Sequence, residues 1–174
     1  RDGQHEDAVE GMGTIDPDGV EPSLLSMARF EASRSLREMG RTDDAEQSFR
    51  FLAESGNALA AHAAVELASM LNQRENYQDA RDILDATLAS SDLEDGLCRS
   101  AVYRSAWAAH RMGDHIAVVA LLDPNQRRCD LGEMAPAAEL LYGEALLATG
   151  QARKAASRFA IVVAEHGSSD EAET

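Results

Sequence analysis

The residue types that most often carry chemistry are few in this chain, and their spacing matches no familiar kind of reactive site. The two cysteines, Cys98 and Cys129, lie far apart and form no Cys-x-x-Cys motif. The histidines lack the paired spacing of a zinc site. They are His5, His62, His110, His115 and His166. Carboxylates are plentiful, but no pair is set apart for acid and base work, so we expect a protein that is not an enzyme.

Two short glycine motifs also fail as cofactor or metal sites. Gly11-Met12-Gly13 has no preceding strand and no third glycine, so it does not match a dinucleotide-binding loop. Asp16-Pro17-Asp18-Gly19 resembles part of a calcium loop, but its first and last ligands would then be Thr14 and Leu25, and a leucine side chain has no ligand oxygen. We therefore expect no cofactor and no metal ion.

The charge balance is strongly acidic. Lysine and arginine total 16 against 31 aspartates and glutamates, which gives a formal net charge of −15 and disfavours a nucleic-acid partner. No stretch approaches the roughly 18 apolar residues of a membrane-spanning helix. Residues 1–21 are rich in acids and glycines without helical periodicity, so we predict a disordered tail or linker there. Because the chain starts at Arg1, we expect a processed product or a fragment.

A pattern of small and large residues recurs four times along the chain. Its turn position is taken by Gly40, Glu75, Gly113 and Gly150. Seven residues before the turn stand Ser33, Ala68, Ala106 and Gly143. Five residues after it stand Ala45, Ala80, Val118 and Ala155, and nine after it Phe49, Leu84, Leu122 and Phe159. A period of this length is typical of a helical solenoid.

Each occurrence predicts two antiparallel helices joined by a short turn. Apolar residues at three- and four-residue spacing give each helix one apolar stripe, and Pro22 and Pro136 suit the first turn of a helix. The predicted hairpins cover residues 22–56, 57–92, 97–129 and 136–167. Residues 168–174 resemble the truncated start of a further repeat or a tail.

Small residues where the helices cross, with a large apolar residue nearby, resemble the tetratricopeptide repeat (TPR). The resemblance implies an all-α fold, a right-handed α-solenoid of about four TPR-like hairpins. The sequence departs from the family pattern because no proline closes each unit and Glu75 replaces a turn glycine. The carboxylate clamp of chaperone-binding members is also absent, since Phe30, Glu66 and Ser100 stand at its Lys, Asn and Lys positions.

In TPR arrays the first helix of each hairpin lines the inner, concave wall, so the resemblance implies a partner-binding surface there. The inner positions with interface-type side chains are Phe30, Arg34, Arg37, His62, Asn72, Tyr103, Trp107, His110 and Arg111. Arg34, Arg37 and Arg111 predict a locally basic wall that suits a peptide carrying carboxylates. Alternatively, Tyr103 and Trp107 pack against the neighbouring hairpin.

The third hairpin suggests a disulfide. Cys98 lies near the start of its first helix and Cys129 just beyond its second, and antiparallel helices bring those two ends together. A bridge would clamp the connector that follows the hairpin. The alternative is two free, buried thiols.

The sequence leaves three functions open. We expect a non-enzymatic scaffold that binds a protein or peptide on the concave face, and residues 159–173 resemble degenerate repeats of bacterial cell-envelope proteins, which favours a periplasmic or envelope location. The second hypothesis is the non-catalytic superhelical portion of a soluble lytic transglycosylase-like peptidoglycan enzyme. The third is a structural oligomerisation module, because Ile161, Val162 and Val163 would leave an apolar face on the C-terminal helix.

Overall fold

Helices make up all the regular structure that the computed structural model describes, which covers residues 2–14 and 20–166. No strand occurs within these ranges. The helices are α1 Asp2–Thr14, α2 Pro22–Glu38, α3 Thr42–Glu54, α4 Ala60–Gln73, α5 Tyr77–Leu88, α6 Asp95–Arg111, α7 His115–Leu122, α8 Ala135–Ala148 and α9 Ala152–His166. A short 3-10 helix at Gly132–Met134 precedes α8.

The four aligned turn positions share one backbone conformation. Gly40, Glu75, Gly113 and Gly150 have φ angles of 74°, 61°, 75° and 78°. The amide that follows each of them donates to a carbonyl five residues earlier, as in Arg41 to Leu36 at 2.9 Å and Gln151 to Leu146 at 2.7 Å. This is the Schellman arrangement, which ends a helix with a left-handed residue. The four positions aligned in the sequence therefore form the same type of turn in the structure.

The small residues of the pattern are buried. Ser33, Ala68 and Ala106 are fully buried. Gly143 is buried as well, and a Cβ atom added there would lie 2.5 Å from Cε1 of Phe159 in the second helix of the same hairpin. Real Cβ atoms essentially never show so short a contact, so a larger residue at this crossing would force the Phe159 ring to shift.

The chain divides into two compact units, residues 1–70 and residues 71–174, with the boundary inside α4. In unit 1, α2 packs on α1 and on α3. In unit 2, α6 packs on α5 and α7, and α8 packs on α7 and α9. The main core of unit 2 includes Val102, Leu122, Leu131 and Leu146, which are almost fully buried. Within unit 2, the second helix of one hairpin thus packs against the first helix of the next.

Four pairs of consecutive helices occupy the described part of the chain from Pro22 to His166. Helices α2 and α3 lie within residues 22–56, and α4 and α5 lie within 57–92. Helix α6 begins at Asp95 and α8 at Ala135, slightly before the predicted limits at 97 and 136. Residues 168–174 lie outside the described part of the chain.

The disordered tail predicted for residues 1–21 is wrong for Asp2–Thr14, which form helix α1. This helix packs against α2, and its His5 Nδ1 lies 3.2 Å from Ser35 Oγ. Residues 15–19 lie outside the described ranges. The helix has little apolar periodicity and contains three glycines, so its own sequence does not predict it. Packing on α2 is the stabilising interaction that local periodicity does not reveal.

Replacing Glu75 by glycine should stabilise the protein. A left-handed φ costs a side-chain-bearing residue roughly 1–2 kcal/mol, whereas glycine adopts it freely. We expect Glu75→Gly to raise the free energy of unfolding in urea by about 0.5–1 kcal/mol, after the greater flexibility of glycine in the unfolded chain is included. The control Glu75→Gln keeps the Cβ atom and should give no gain. Equal stability of both variants would show that the turn carries no strain.

Candidate protein-binding site

The predicted inner residues of unit 1 mainly join α2 to its neighbours. The Phe30 ring meets the Phe49 ring edge-on, with centroids 5.6 Å apart, and the His62 ring at 6.3 Å. Arg37 forms an ion pair with Glu66 of α4. Of the four residues predicted here, Arg34 is the exposed one, and its guanidinium lies 3.4 Å from Glu31.

In unit 2, Asn72 has a structural contact with α6. Its Nδ2 donates to the backbone carbonyl of Arg104 at 3.3 Å. Tyr103 is half-buried and packs against the core of this unit. Both residues therefore support the packing of α6, and the packing alternative for Tyr103 agrees with the structure.

The remaining predicted residues form one cluster, which we call the Trp107 patch and define as Tyr77, Trp107, His110, Arg111 and Glu144. The Trp107 and His110 rings are stacked, with centroids 6.2 Å apart and an interplanar angle of 27°. His110 Nε2 lies 3.7 Å from a carboxylate oxygen of Glu144 in α8. The Arg111 guanidinium carbon lies 5.1 Å from the Tyr77 ring centroid and 5.8 Å from that of Trp107.

Trp107 combines the two roles that the sequence left open. Its ring is half-buried and packs against the core of unit 2. The same ring stacks on His110 and lies within cation–π range of Arg111, whose side chain is 43% exposed. The tryptophan thus anchors a polar surface to the core, which gives the patch a fixed shape.

Exposed leucines flank the patch on α8. Leu140 and Leu147 are 46% and 51% exposed. They stand four residues before and three residues after Glu144, so helical geometry puts all three on one face. Because Glu144 reaches His110, this face of α8 continues the surface of the patch.

The structure corrects the expectation of a basic wall. Each arginine that predicted it stands near a glutamate: Arg34 is paired with Glu31, Arg37 with Glu66 and Arg111 with Glu75. The first of these pairs has the three-residue spacing of helix neighbours, which the sequence alone could have revealed. The other two link different parts of the fold and needed the structure.

Asp114 and Arg81 are structural residues that the sequence reasoning missed. Asp114 begins α7 as its N-cap and accepts a hydrogen bond from the Ala117 amide at 3.0 Å. Arg81 of α5 donates to its carboxylate at 2.7 Å. This hydrogen bond first, and then that of Ala117, lowers the pKa of Asp114 below its ordinary value. The pair therefore stabilises the fold above the ordinary carboxyl pKa and loses that contribution as the pH falls through the lowered one.

The structure joins Cys98 and Cys129 in a disulfide, with Cα atoms 6.3 Å apart. Cys98 lies in the core of unit 2 and is only 3% exposed. Nearby, Arg128 donates a hydrogen bond to the carbonyl of Ser90, and Leu131 is buried in the same core. The disulfide is thus one of several contacts that hold the connector between α7 and α8.

The described ranges contain neither a candidate metal site nor a helix suited to a membrane. In residues 2–14 and 20–166 no group of three or more histidines, cysteines or acids is arranged to hold a metal ion. Within the same ranges, none of the helices has the length and apolar content needed to cross a membrane.

The predicted fold, an α-solenoid of TPR-like helical hairpins, is confirmed by similarity to solved structures. "Crystal structure of MamA protein" matches with a TM-score of 0.72 and 17% identity, covering 99% of this chain and 88% of that one. "MamA 41-end from Desulfovibrio magneticus RS-1" matches with a TM-score of 0.68, 17% identity and coverage of 97% and 89%. Neither a family model nor a curated protein sequence matches the chain. At this identity the likeness shows the fold alone.

Thiol titration checks the disulfide. In denaturant without reductant, we expect no reactive thiol, and after reduction two. Replacing both cysteines by alanine should lower the free energy of unfolding by about 3–4 kcal/mol. Without the bridge, the loop between Cys98 and Cys129 is open in the unfolded chain, which then has more conformational entropy. Reductant should destabilise the wild-type protein and leave the double variant unchanged. Two reactive thiols before reduction would contradict the bridge.

Proposed function

We propose that this chain is a non-enzymatic scaffold that binds a protein or peptide partner through the Trp107 patch of unit 2. The observation that carries the proposal is the arrangement of Arg111 against the rings of Tyr77 and Trp107. Tryptophan, tyrosine and arginine are the side chains that most often dominate the energy of protein interfaces. The TPR-like fold supports the proposal, because helical solenoids use extended surfaces to bind other proteins.

The rigidity of the patch is the second support. The Trp107 ring is packed on the core, and Arg111 is held by two rings, so little side-chain freedom is lost when a partner binds. Leu140 and Leu147 add exposed apolar area next to the polar groups. Apolar side chains beside a few polar groups are typical of protein interfaces.

A periplasmic or envelope location is part of this proposal. The disulfide between Cys98 and Cys129 supports it, because structural disulfides form and persist in oxidising compartments. A role in bacterial envelope assembly would agree with that location. The thiol titration described above, applied to protein trapped by acid in its source cells, tests the compartment. Two reduced thiols in the trapped protein would oppose it.

Selection from a random peptide library displayed on phage tests the binding site. We expect enriched peptides whose dissociation constants rise about thirtyfold for Trp107→Ala, since a buried anchor at an interface contributes about 2 kcal/mol. Leu147→Ala removes only an exposed side chain and should weaken binding less. Phe51→Ala is the matched control, because Phe51 is a 56% exposed aromatic residue on α3 of unit 1.

Circular dichroism and urea unfolding establish that each variant is folded before its affinity is compared. Peptides that bind the wild type and the Trp107→Ala and Leu147→Ala variants equally would reject the patch as the site.

Self-association through α9 is a second candidate function. Val163 is 69% exposed, and Ile161 and Val162 are only half-buried. In sedimentation at several concentrations we expect a concentration-dependent dimer that Val163→Glu abolishes, because a buried charge opposes an apolar contact. Exposed Ile116 of α7 provides the control substitution Ile116→Glu. A wild-type chain that stays monomeric throughout would exclude this candidate.

A further inference from the structure

Glu75 is the residue that departs from the otherwise regular turns. Three equivalent positions hold glycine, whereas Glu75 adopts the same left-handed backbone at φ 61° with a side chain that is 74% exposed. Backbone strain of this kind is kept where the surrounding structure holds the residue in place, and it is common at binding sites. The carboxylate of Glu75 lies 3.7 Å from the guanidinium of Arg111.

Arg111 is held in a way that leaves its donors available. Its guanidinium is within cation–π distance of both Tyr77 and Trp107. Rings that cover the flat faces of a guanidinium leave the N–H groups at its edges free to point outward. The 3.7 Å separation from Glu75 is too long for a hydrogen bond, so this ion pair is loose.

Other arginines of the same protein are bound more firmly. Arg81 donates to Asp114 at 2.7 Å, and its side chain is only 22% exposed. Arg37 is paired with Glu66, and both side chains are about 30% exposed or less. Arg111 differs from both in its greater exposure and in its distant, exposed carboxylate.

We propose that Arg111 recognises a carboxylate of the binding partner, and that Glu75 occupies this position in the free protein as an exchangeable internal competitor. The inference rests on the proposed function of the Trp107 patch and names the chemistry of the partner. An incoming carboxylate displaces Glu75 and forms hydrogen bonds to the edge of a guanidinium that is already fixed in place. The net charge of −15 opposes acidic partners at long range, so apolar contacts beside the carboxylate must contribute to the affinity.

Three short peptides serve as probes because they differ only in the carboxylate. They are acetyl-Leu-Asp-Leu-amide, acetyl-Leu-Asn-Leu with a free C-terminus, and acetyl-Leu-Asn-Leu-amide, which carries no charge. The first two distinguish an acidic side chain from a C-terminal carboxylate. The chain has a single tryptophan, so Trp107 fluorescence reports binding at the patch itself.

Glu75→Gln is the decisive variant, because it removes the competing charge and keeps the Cβ atom. We expect it to strengthen binding of a carboxylate peptide up to about fivefold, the usual limit for an exposed ion pair, and to leave the uncharged peptide unaffected. Asp92→Asn removes the same charge from an exposed residue elsewhere in unit 2 and should change nothing. Arg111→Gln should abolish the preference for a carboxylate.

The outcomes separate this inference from the function on which it rests. Equal binding of charged and uncharged peptides would overturn carboxylate recognition and leave peptide binding at the patch intact. Carboxylate binding that Glu75→Gln does not strengthen would overturn the competitor role. If none of the three peptides alters Trp107 emission, carboxylate recognition is rejected, and the phage selection decides separately whether the patch binds peptides. Circular dichroism establishes that each variant is folded.

Discussion

Close approach of the two helices of a hairpin, as in α2/α3, α6/α7 and α8/α9, is the constraint on which this fold depends. Two helices approach closely enough to bury a continuous apolar stripe only where the side chain at their crossing point is very small. Gly143 shows the limit, since a single methyl group there would overlap the Phe159 ring. Ser33 and Ala106 stand at the matching positions of the first and third hairpins, and both are fully buried. The large apolar residue of the pattern then fills the space beside the crossing, as the buried Phe49 and Leu122 do.

The turn between the helices adds a second requirement, and it connects the fold to the candidate site. A left-handed residue reverses the chain within a few positions and satisfies the last carbonyls of the first helix. Glycine meets this need at three turns without strain, but Glu75 does not. The strained turn is also the one that contacts Arg111 and is followed directly by Tyr77 of the patch. The departure from the repeat at Glu75 thus coincides with the surface that has interface-type side chains.

Structural features that recur along the chain could be predicted from the sequence. Features that depend on a single contact could not. Hairpin register follows from residue size, because a repeated steric requirement leaves a repeated pattern. Helix α1 leaves no such pattern, since packing on α2 provides the stabilisation that its own residues lack. The glutamates opposite Arg37 and Arg111 come from other helices or turns, and spacing along the chain does not reveal their distances. Trp107 could be singled out from its type, whereas its stacking on His110 required coordinates.

Pairing of the arginines changes how a surface of this kind achieves selectivity. An unpaired basic wall would attract any anion at long range, and its binding would fall steeply with salt. Arginines that already have carboxylates nearby contribute little long-range attraction, because opposite charges a few ångströms apart largely cancel at a distance. Discrimination then depends on short-range geometry: a partner must offer a better contact than the internal glutamate and must also cover the neighbouring rings and leucines. For a protein with a net charge of −15, such local exchange allows a cationic group to select an anionic one within a field that would otherwise repel it.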